Sequence, residues 1–415
     1  MSSDSTTVWE QIADRSDGFE EQCLLRAPFR SPPCRLDDLT RLIRSLSEDP
    51  DYAMVTRMLD VTVEGNRRAS LKPLVLDDPP KPGEGLAEWS ARVFDGRPFG
   101  LMVNAVERWS ETLARAGAEF FAPARSEFGI PQLSFRISLF LGNYGFTPSG
   151  VHRDIGRSER VFHYNAGPGR KSFHSWPVDR YRELTGSTRP SHDPEPLLPY
   201  GTGHTMEPGD VLLLNVSRFH VGRSDELAAT VGLEMSKMPP GEVLKEATSS
   251  VLTGLLRERS APLHDTEFWS EPWDYTDTAW ADLPESGLDA WVREAVDSHI
   301  ARQRSNLGFS TAPVPLNGVG TDDLRPAAVR LARPFPLVLV EHPDHAEIFV
   351  RGVRLKVPRD GISELVDELS SGRELEVADV VRRRRNPDLA LKLLTTLVRL
   401  RGIDLVRPDC AEGAR

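Results

Sequence analysis

The run Leu133-Ser-Phe-Arg-Ile-Ser-Leu-Phe-Leu141 repeats its apolar residues every second position and stops at Gly142-Asn143. Side chains of a strand point alternately to two faces, so this run reads as a strand with one buried face, not as a helix. Its surroundings read the same way. Val161-Phe162 and Ser172-Phe-His-Ser-Trp176 are further short strands, with Gly167-Pro-Gly169 as the turn between them. Glu207-Pro-Gly-Asp210 turns into Val211-Leu-Leu-Leu-Asn215, and Leu227 to Met235 gives another strand. Thr185 to Pro199 is rich in proline and polar residues and reads as a surface loop. Several short strands joined by turns predict a mainly β core, a small antiparallel barrel or jelly roll, over residues 125–241.

The flanks follow a different period. Leu36 to Leu46 places apolar residues three and four apart, as an amphipathic helix does. The breaker DDPPKPGEG (77–85) interrupts this zone and Val103 to Leu113 resumes it. Residues 9–115 are therefore expected to be largely helical, and 1–124 to pack on the barrel. Helical spacing returns from Glu242 to Leu307, followed by a Pro- and Gly-containing linker. Beyond it come an apolar strand at Pro336 to Val340 and a hairpin from His345 to Val357 around Arg351-Gly352. Three helices (Ile362–Leu369, Val377–Val381, Leu389–Leu400) and a last strand at Ile403 to Val406 complete the chain. This pattern predicts a 242–325 helical segment and linker, then an α+β winged-helix module over 326–415.

Composition removes several functional classes. The 415 residues carry 62 Asp/Glu against 51 Lys/Arg, a net charge of −11, which suits a phosphate-backbone binder poorly. Arg382 to Arg385 invites a nucleic-acid reading, but basic and acidic residues nearly balance in the last zone. A solvated face, or a complement to a helix C-terminus, fits those arginines better. We therefore expect that module to dock protein or peptide. No apolar run is long enough to span a bilayer, and the acidic N-terminal stretch lacks a signal-like apolar core. Three cysteines (Cys23, Cys34, Cys410) without CxxC spacing argue against disulfides and thiolate zinc, and for a cytoplasmic, reducing setting. Tryptophans gather at Trp269, Trp273, Trp280 and Trp291, where packing or a dimer contact is expected and a substrate lid is the sharper alternative.

The chemistry rests on Gly150-Val-His152-Arg-Asp154 and on His220, 66 residues after the aspartate. In extended chain, residues two apart face the same way, so His152 and Asp154 offer two metal ligands from one edge. A third, His220, comes from a strand remote in sequence. Two imidazoles and a carboxylate on one side of a metal leave adjacent positions open, as non-haem Fe(II) oxygenases require. The bare pattern is weak: ten histidines and 62 acids in 415 residues give about 1.5 chance matches to HxD/E, and three occur. His342/Asp344 and His345/Glu347 have no histidine downstream and are read as solvated hairpin residues.

The segments Ser138-Leu-Phe-Leu-Gly142, Gly150 to Asp154, Gly167-Pro-Gly-Arg-Lys171-Ser-Phe-His-Ser-Trp-Pro177 and Glu207 to His220 together resemble the JmjC, cupin-like family of Fe(II)- and 2-oxoglutarate-dependent oxygenases. Phe19 to Pro28 is similar to the lead-in of its bacterial ribosomal-protein oxygenase branch, which also carries a helical dimerisation region and a winged helix. The resemblance implies a double-stranded β-helix, iron at His152, Asp154 and His220, and Lys171 pairing with the far carboxylate of 2-oxoglutarate. Arg170 is the rival of Lys171, since neighbouring strand residues face opposite ways. His163 falls near the co-substrate in related sequences, and Ser149 could donate to it; a barrel histidine and a loop serine are the plain alternatives. Asn215 and His174 are weaker candidates. Arg157 and Arg160 follow the ligand motif where many relatives carry acidic or aromatic residues, either lining the entrance or forming surface pairs. The implied activity is hydroxylation of a protein or peptide side chain by a possible homodimer. A small natural-product intermediate, or a non-catalytic cupin-like binding protein, are the alternatives.

Overall fold

The computed structural model describes residues 2–154, 159–258 and 288–406. Twelve strands build its centre: β1 Cys23–Leu25, β2 Leu59–Val63, β3 Asn66–Arg67, β4 Phe99–Val103, β5 Leu133–Gly142, β6 Gly145–Phe146, β7 Glu159–Pro168, β8 Lys171–Trp176, β9 Thr202–Met206, β10 Val211–Leu214, β11 Phe219–Ser224 and β12 Ala228–Lys237. They form an eight-stranded sheet in the order β1-β10-β7-β12-β5-β4-β2-β3 and a four-stranded sheet in the order β6-β11-β8-β9. Every ladder in both is antiparallel.

The period-two alternation of β5 sets the layers. Phe135, Ile137, Leu139 and Leu141 point out of the large sheet into the main core, where Phe162 and Val231 join them. Helix Leu36–Glu48 covers this face with Leu39, Leu42, Ile43 and Leu46, and helix Glu111–Phe120 adds Leu113 and Phe120. Each such side chain contributes about 1.5–3 kcal/mol on burial. The outer face of the small sheet has its own cluster, in which Trp176, Phe219 and Val221 meet Tyr181 of helix Val178–Thr185 and Leu197. The opposite residues of both sheets, Val161, Phe173, Met206 and Leu212 among them, face the interior.

The zone 9–115 holds helices as expected, and it also supplies β1 to β4, which hydrogen-bond within the large sheet. Leu59-Asp-Val-Thr-Val and Phe99-Gly-Leu-Met-Val are five residues each, too short for periodicity to separate strand from helix. Pairing with β5 decides them. The span Thr185 to Pro199 likewise ends in a 3-10 helix, Glu195–Tyr200, which carries Leu197 into the small-sheet cluster.

After helices Pro240–Glu258 and Leu288–Ser305, six more strands follow: β13 Ala328–Leu331, β14 Val338–Glu341, β15 Ala346–Val350, β16 Val353–Val357, β17 Leu375–Glu376 and β18 Ile403–Val406. They form the sheets β17-β13-β18 and β14-β15-β16. Helices Ile362–Ser370, Val377–Arg382 and Pro387–Arg399 pack on them around a separate apolar core. The tryptophans at 269, 273 and 280, together with Arg157 and Cys410, lie outside the described residues; Trp291 is buried. Cys23 and Cys34 are buried free thiols. Among the described residues no helix is long and apolar enough to cross a membrane.

A buried arginine joins the C-terminal unit to the helix before the barrel. Arg351, 1% exposed, gives both Glu111 oxygens hydrogen bonds of 3.0 Å and lies 3.5 Å from the Phe335 ring centroid. Glu111→Ala would strand that cation, so it is expected to cost about 3 kcal/mol in denaturant unfolding. A loss below about 0.5 kcal/mol would show that Asn306 and Phe335 suffice to hold Arg351.

Candidate metal centre

Strand β11 presents Phe219 and Val221 to the outer cluster, so the side chain between them, His220, is turned inward. His152 lies alongside it in a two-way bridge: the His152 N–H donates to the His220 carbonyl at 3.0 Å, and the His220 N–H donates back at 2.7 Å. Two residues on, the Asp154 N–H donates to Val216 O at 2.9 Å. Gly150 explains why the chain can enter this bridge so tightly. Its φ is +66°, and a Cβ there would sit 2.2 Å from the Ser191 carbonyl oxygen.

Ligand atoms of His152, Asp154 and His220 consequently all lie within 4.8 Å of one another. The two imidazoles are oriented by the backbone. His152 Nδ1 is 2.9 Å from Gly150 O and His220 Nδ1 is 3.0 Å from Arg218 O. With Nδ1 carrying the proton, each Nε2 keeps its lone pair, the arrangement that outer hydrogen bonds impose on metal-binding histidines. Burial, then the charge of His152, lowers the His220 pKa to about 4, so its imidazole is neutral at pH 7. Asp154 is exposed.

Lys171 opens β8 and shares the inward face with His220, because residues opposite each other across the β8–β11 ladder point the same way. It is 1% exposed. Its ammonium donates to the Tyr144 hydroxyl and lies 4.7 Å from the Tyr144 ring centroid and 5.6 Å from that of Phe173. Among the described residues it pairs with no carboxylate. A lone buried ammonium costs several kcal/mol, which aromatic faces offset only in part. The inward face of β8 thus carries a positive charge whose hydrogen-bond partner is a neutral hydroxyl. Arg170 faces out and pairs with Glu207 at 3.1 Å.

His163 on β7 is buried between these groups. Its ring centroid is 4.5 Å from that of Phe173, and its Nδ1 makes no hydrogen bond. Burial, then the charges of Lys171 and His220, holds its pKa well below the usual histidine range. Ser224 Oγ and Thr230 Oγ1 are likewise buried without a hydrogen-bond partner. Orphaned polar atoms of this kind point to a bound group or water.

The weaker sequence candidates separate cleanly. Ser149 is exposed on the turn closed by the Gly150 N–H and Thr147 O. Asn215 is structural: its side-chain amide donates to Glu20 O and its oxygen accepts from Ser217. His174 points away from the interior toward Gly203. Arg160 pairs with Glu20 at 2.6 Å, so it forms a structural contact. Sequence reasoning missed Tyr144 and Thr147. The signal for Tyr144 is a pair of glycines: Cβ atoms at Gly100 and Gly142 would lie 3.0 and 2.8 Å from its ring. Thr147 packs over Gly222, where a Cβ would come within 3.3 Å of it and 3.6 Å of Lys171 Cε.

No family model and no curated protein matches this chain. Among solved structures it is similar to YcfD of Escherichia coli, at 17% identity over 96% of this chain and 98% of that one, with a TM-score of 0.46. It is also similar to YcfD described as a ribosomal oxygenase in complex with cobalt and succinic acid, at 17% identity and the same TM-score of 0.46. A third structure, of YcfD with cobalt and 2-oxoglutarate, is 16% identical at a TM-score of 0.46, again over 96% of this chain.

Gly150→Ala is expected to displace His152 and to weaken divalent-cation uptake by this cluster at least about tenfold, measured by calorimetric titration. Unchanged uptake would mean that the Gly150–Ser191 approach does not position the cluster.

Proposed function

We propose that this chain is an Fe(II)- and 2-oxoglutarate-dependent oxygenase acting on a C–H bond of a protein or peptide side chain. The observation that carries the reading is the shared inward face of the small sheet. At one end stand two imidazoles and a carboxylate, the donor set that suits Fe(II) with open positions. At the other stands a buried ammonium without a carboxylate partner among the described residues. The strand orders β10-β7-β12-β5 and β6-β11-β8-β9 support reading the core as a double-stranded β-helix.

In this reading His152, Asp154 and His220 hold the metal. Bound iron and 2-oxoglutarate would supply O₂ activation and hydrogen abstraction, with succinate and CO₂ released. Lys171, backed by Tyr144, holds the distal carboxylate of the co-substrate through a charge-assisted hydrogen bond. His163 stays neutral, adding no second positive charge beside Lys171. Phe140, Phe173 and Leu212 keep the interior apolar, which limits water near the reacting bond.

The substrate class follows from the sequence resemblance, with a small natural-product intermediate as the rival. The units 1–124, 125–241, 242–325 and 326–415, and the winged-helix reading of the last, are proposed on the same basis, as is a homodimer through the helical segment. The arginine run supports protein docking over nucleic acid. Arg382 pairs with Asp379, Arg383 and Arg384 with Glu368, and Arg385 with Asp360, so its charge is largely matched. Two buried free thiols support a reducing, cytoplasmic setting.

His152→Ala and His220→Ala are each expected to lower Fe(II)-dependent succinate formation at least about 100-fold, with the circular dichroism spectrum retained. Lys171→Ala is expected to raise the KM for 2-oxoglutarate tenfold or more, while the affinity for metal alone stays unchanged. An unchanged KM would remove Lys171 from the co-substrate site. If the wild-type protein with Fe(II) yields no succinate, with or without peptides, the non-catalytic binding reading takes its place.

A further inference from the structure

His342/Asp344 and His345/Glu347 were expected to be solvated hairpin residues; both histidines do lie on the β14–β15 turn, partly exposed, whereas Glu347 is buried. The four residues His342-Pro-Asp-His345 connect β14 to β15, and the His342 N–H donates to His345 O at 2.9 Å to close the loop. That closure lays the two imidazoles face to face, with centroids 4.4 Å apart and planes at 5°. Glu347, the second residue of β15, alternates with Ala346 and Ile348 of the apolar core, so its carboxylate points to the other face, toward both rings. It is only 6% exposed.

The donor atoms are spaced nearly as ligands are, and one ring has to turn out of the parallel stack for both Nε2 lone pairs to meet at a metal. His342 Nε2 is 3.7 Å from one Glu347 oxygen and His345 Nε2 is 3.6 Å from the other. Both gaps exceed hydrogen-bond length. They approach the roughly 3.4 Å edge of a tetrahedron whose metal–ligand bonds are about 2.0–2.1 Å. His342 Nε2 is buried and makes no hydrogen bond. Outside the cluster, Asp344 Oδ1 lies 2.8 Å from His345 Nδ1. A carboxylate on Nδ1 fixes the tautomer that leaves Nε2 free, and strengthens it as a donor.

We propose that His342, His345 and Glu347 form a second divalent-metal site, of the kind zinc(II) takes, clasping the β14–β15 turn. It shares no residue with His152, Asp154 and His220. Two cations face the same carboxylate: Arg354 of β16, at 3.6 Å, and Arg302 of helix Leu288–Ser305. Arg354 is half-exposed and beyond hydrogen-bond length, so it can withdraw when a metal binds. It opposes binding without blocking it.

The test uses the full chain stripped with chelator and then titrated with zinc(II), with bound metal counted by mass spectrometry after desalting. A His152→Ala/His220→Ala variant, lacking the first cluster, is expected to retain one equivalent. Adding His345→Ala or Glu347→Gln to that background is expected to weaken uptake tenfold or more, and Arg354→Ala to tighten it. Glu347→Gln preserves shape, so it serves where His345→Ala fails to fold. The proposal is overturned if the double variant takes up no zinc, or if its zinc survives Glu347→Gln undiminished. Because the readout is bound metal in a chain without the first cluster, it is independent of whether the oxygenase reading holds.

Discussion

The two-way backbone bridge between His152 and His220 is the contact on which the rest of the centre depends. It converts two segments far apart in sequence into neighbours across one sheet edge, with both imidazoles committed to the same side. Everything around it serves that approach. Gly150 lets the chain pass beneath the Ser191 carbonyl, and Val151 and Phe219 anchor the two segments in the outer apolar cluster. The Gly150 and Arg218 carbonyls then set the ring orientation. Rigid strands, not loops, carry His220 and Lys171, which suits a centre that must hold fixed spacings.

Charge is distributed with the same economy. The interior surrounds Lys171 with aromatic faces, a tyrosine hydroxyl and a histidine kept neutral by burial and by Lys171 itself. Two buried charges elsewhere are matched directly. Arg351 meets Glu111, and Arg108 meets Asp49 at 3.0 Å. Lys171 instead has a tyrosine hydroxyl and aromatic faces around it.

Much of this was legible in the sequence, for reasons tied to particular residues. The alternation over Leu133 to Leu141 is long enough to declare a strand, and the turn Glu207 to Asp210 placed the apolar strand β10. His152, Asp154 and His220 stood out because strand geometry gives HxD a meaning, and the structure brings their donor atoms together. Lys171 was favoured over Arg170, and the ladder buries one and exposes the other. The short strands β2 and β4 were not legible, since pairing with β5 rather than local pattern defines them. Tyr144 was missed because its role comes from space left by glycines on two different strands. His342 and His345 were discounted for lack of a distant partner, whereas a tight turn supplies the partner, Glu347, two residues away.

The central claim is that a metal at His152, Asp154 and His220 and an anion at Lys171 are held as one unit. Anaerobic titration of 2-oxoglutarate into Fe(II)-loaded protein, followed by visible absorption, tests this directly. The account predicts a charge-transfer band that saturates at one equivalent and is absent without metal. Binding of 2-oxoglutarate that is equally tight with and without Fe(II), and raises no band, would contradict it.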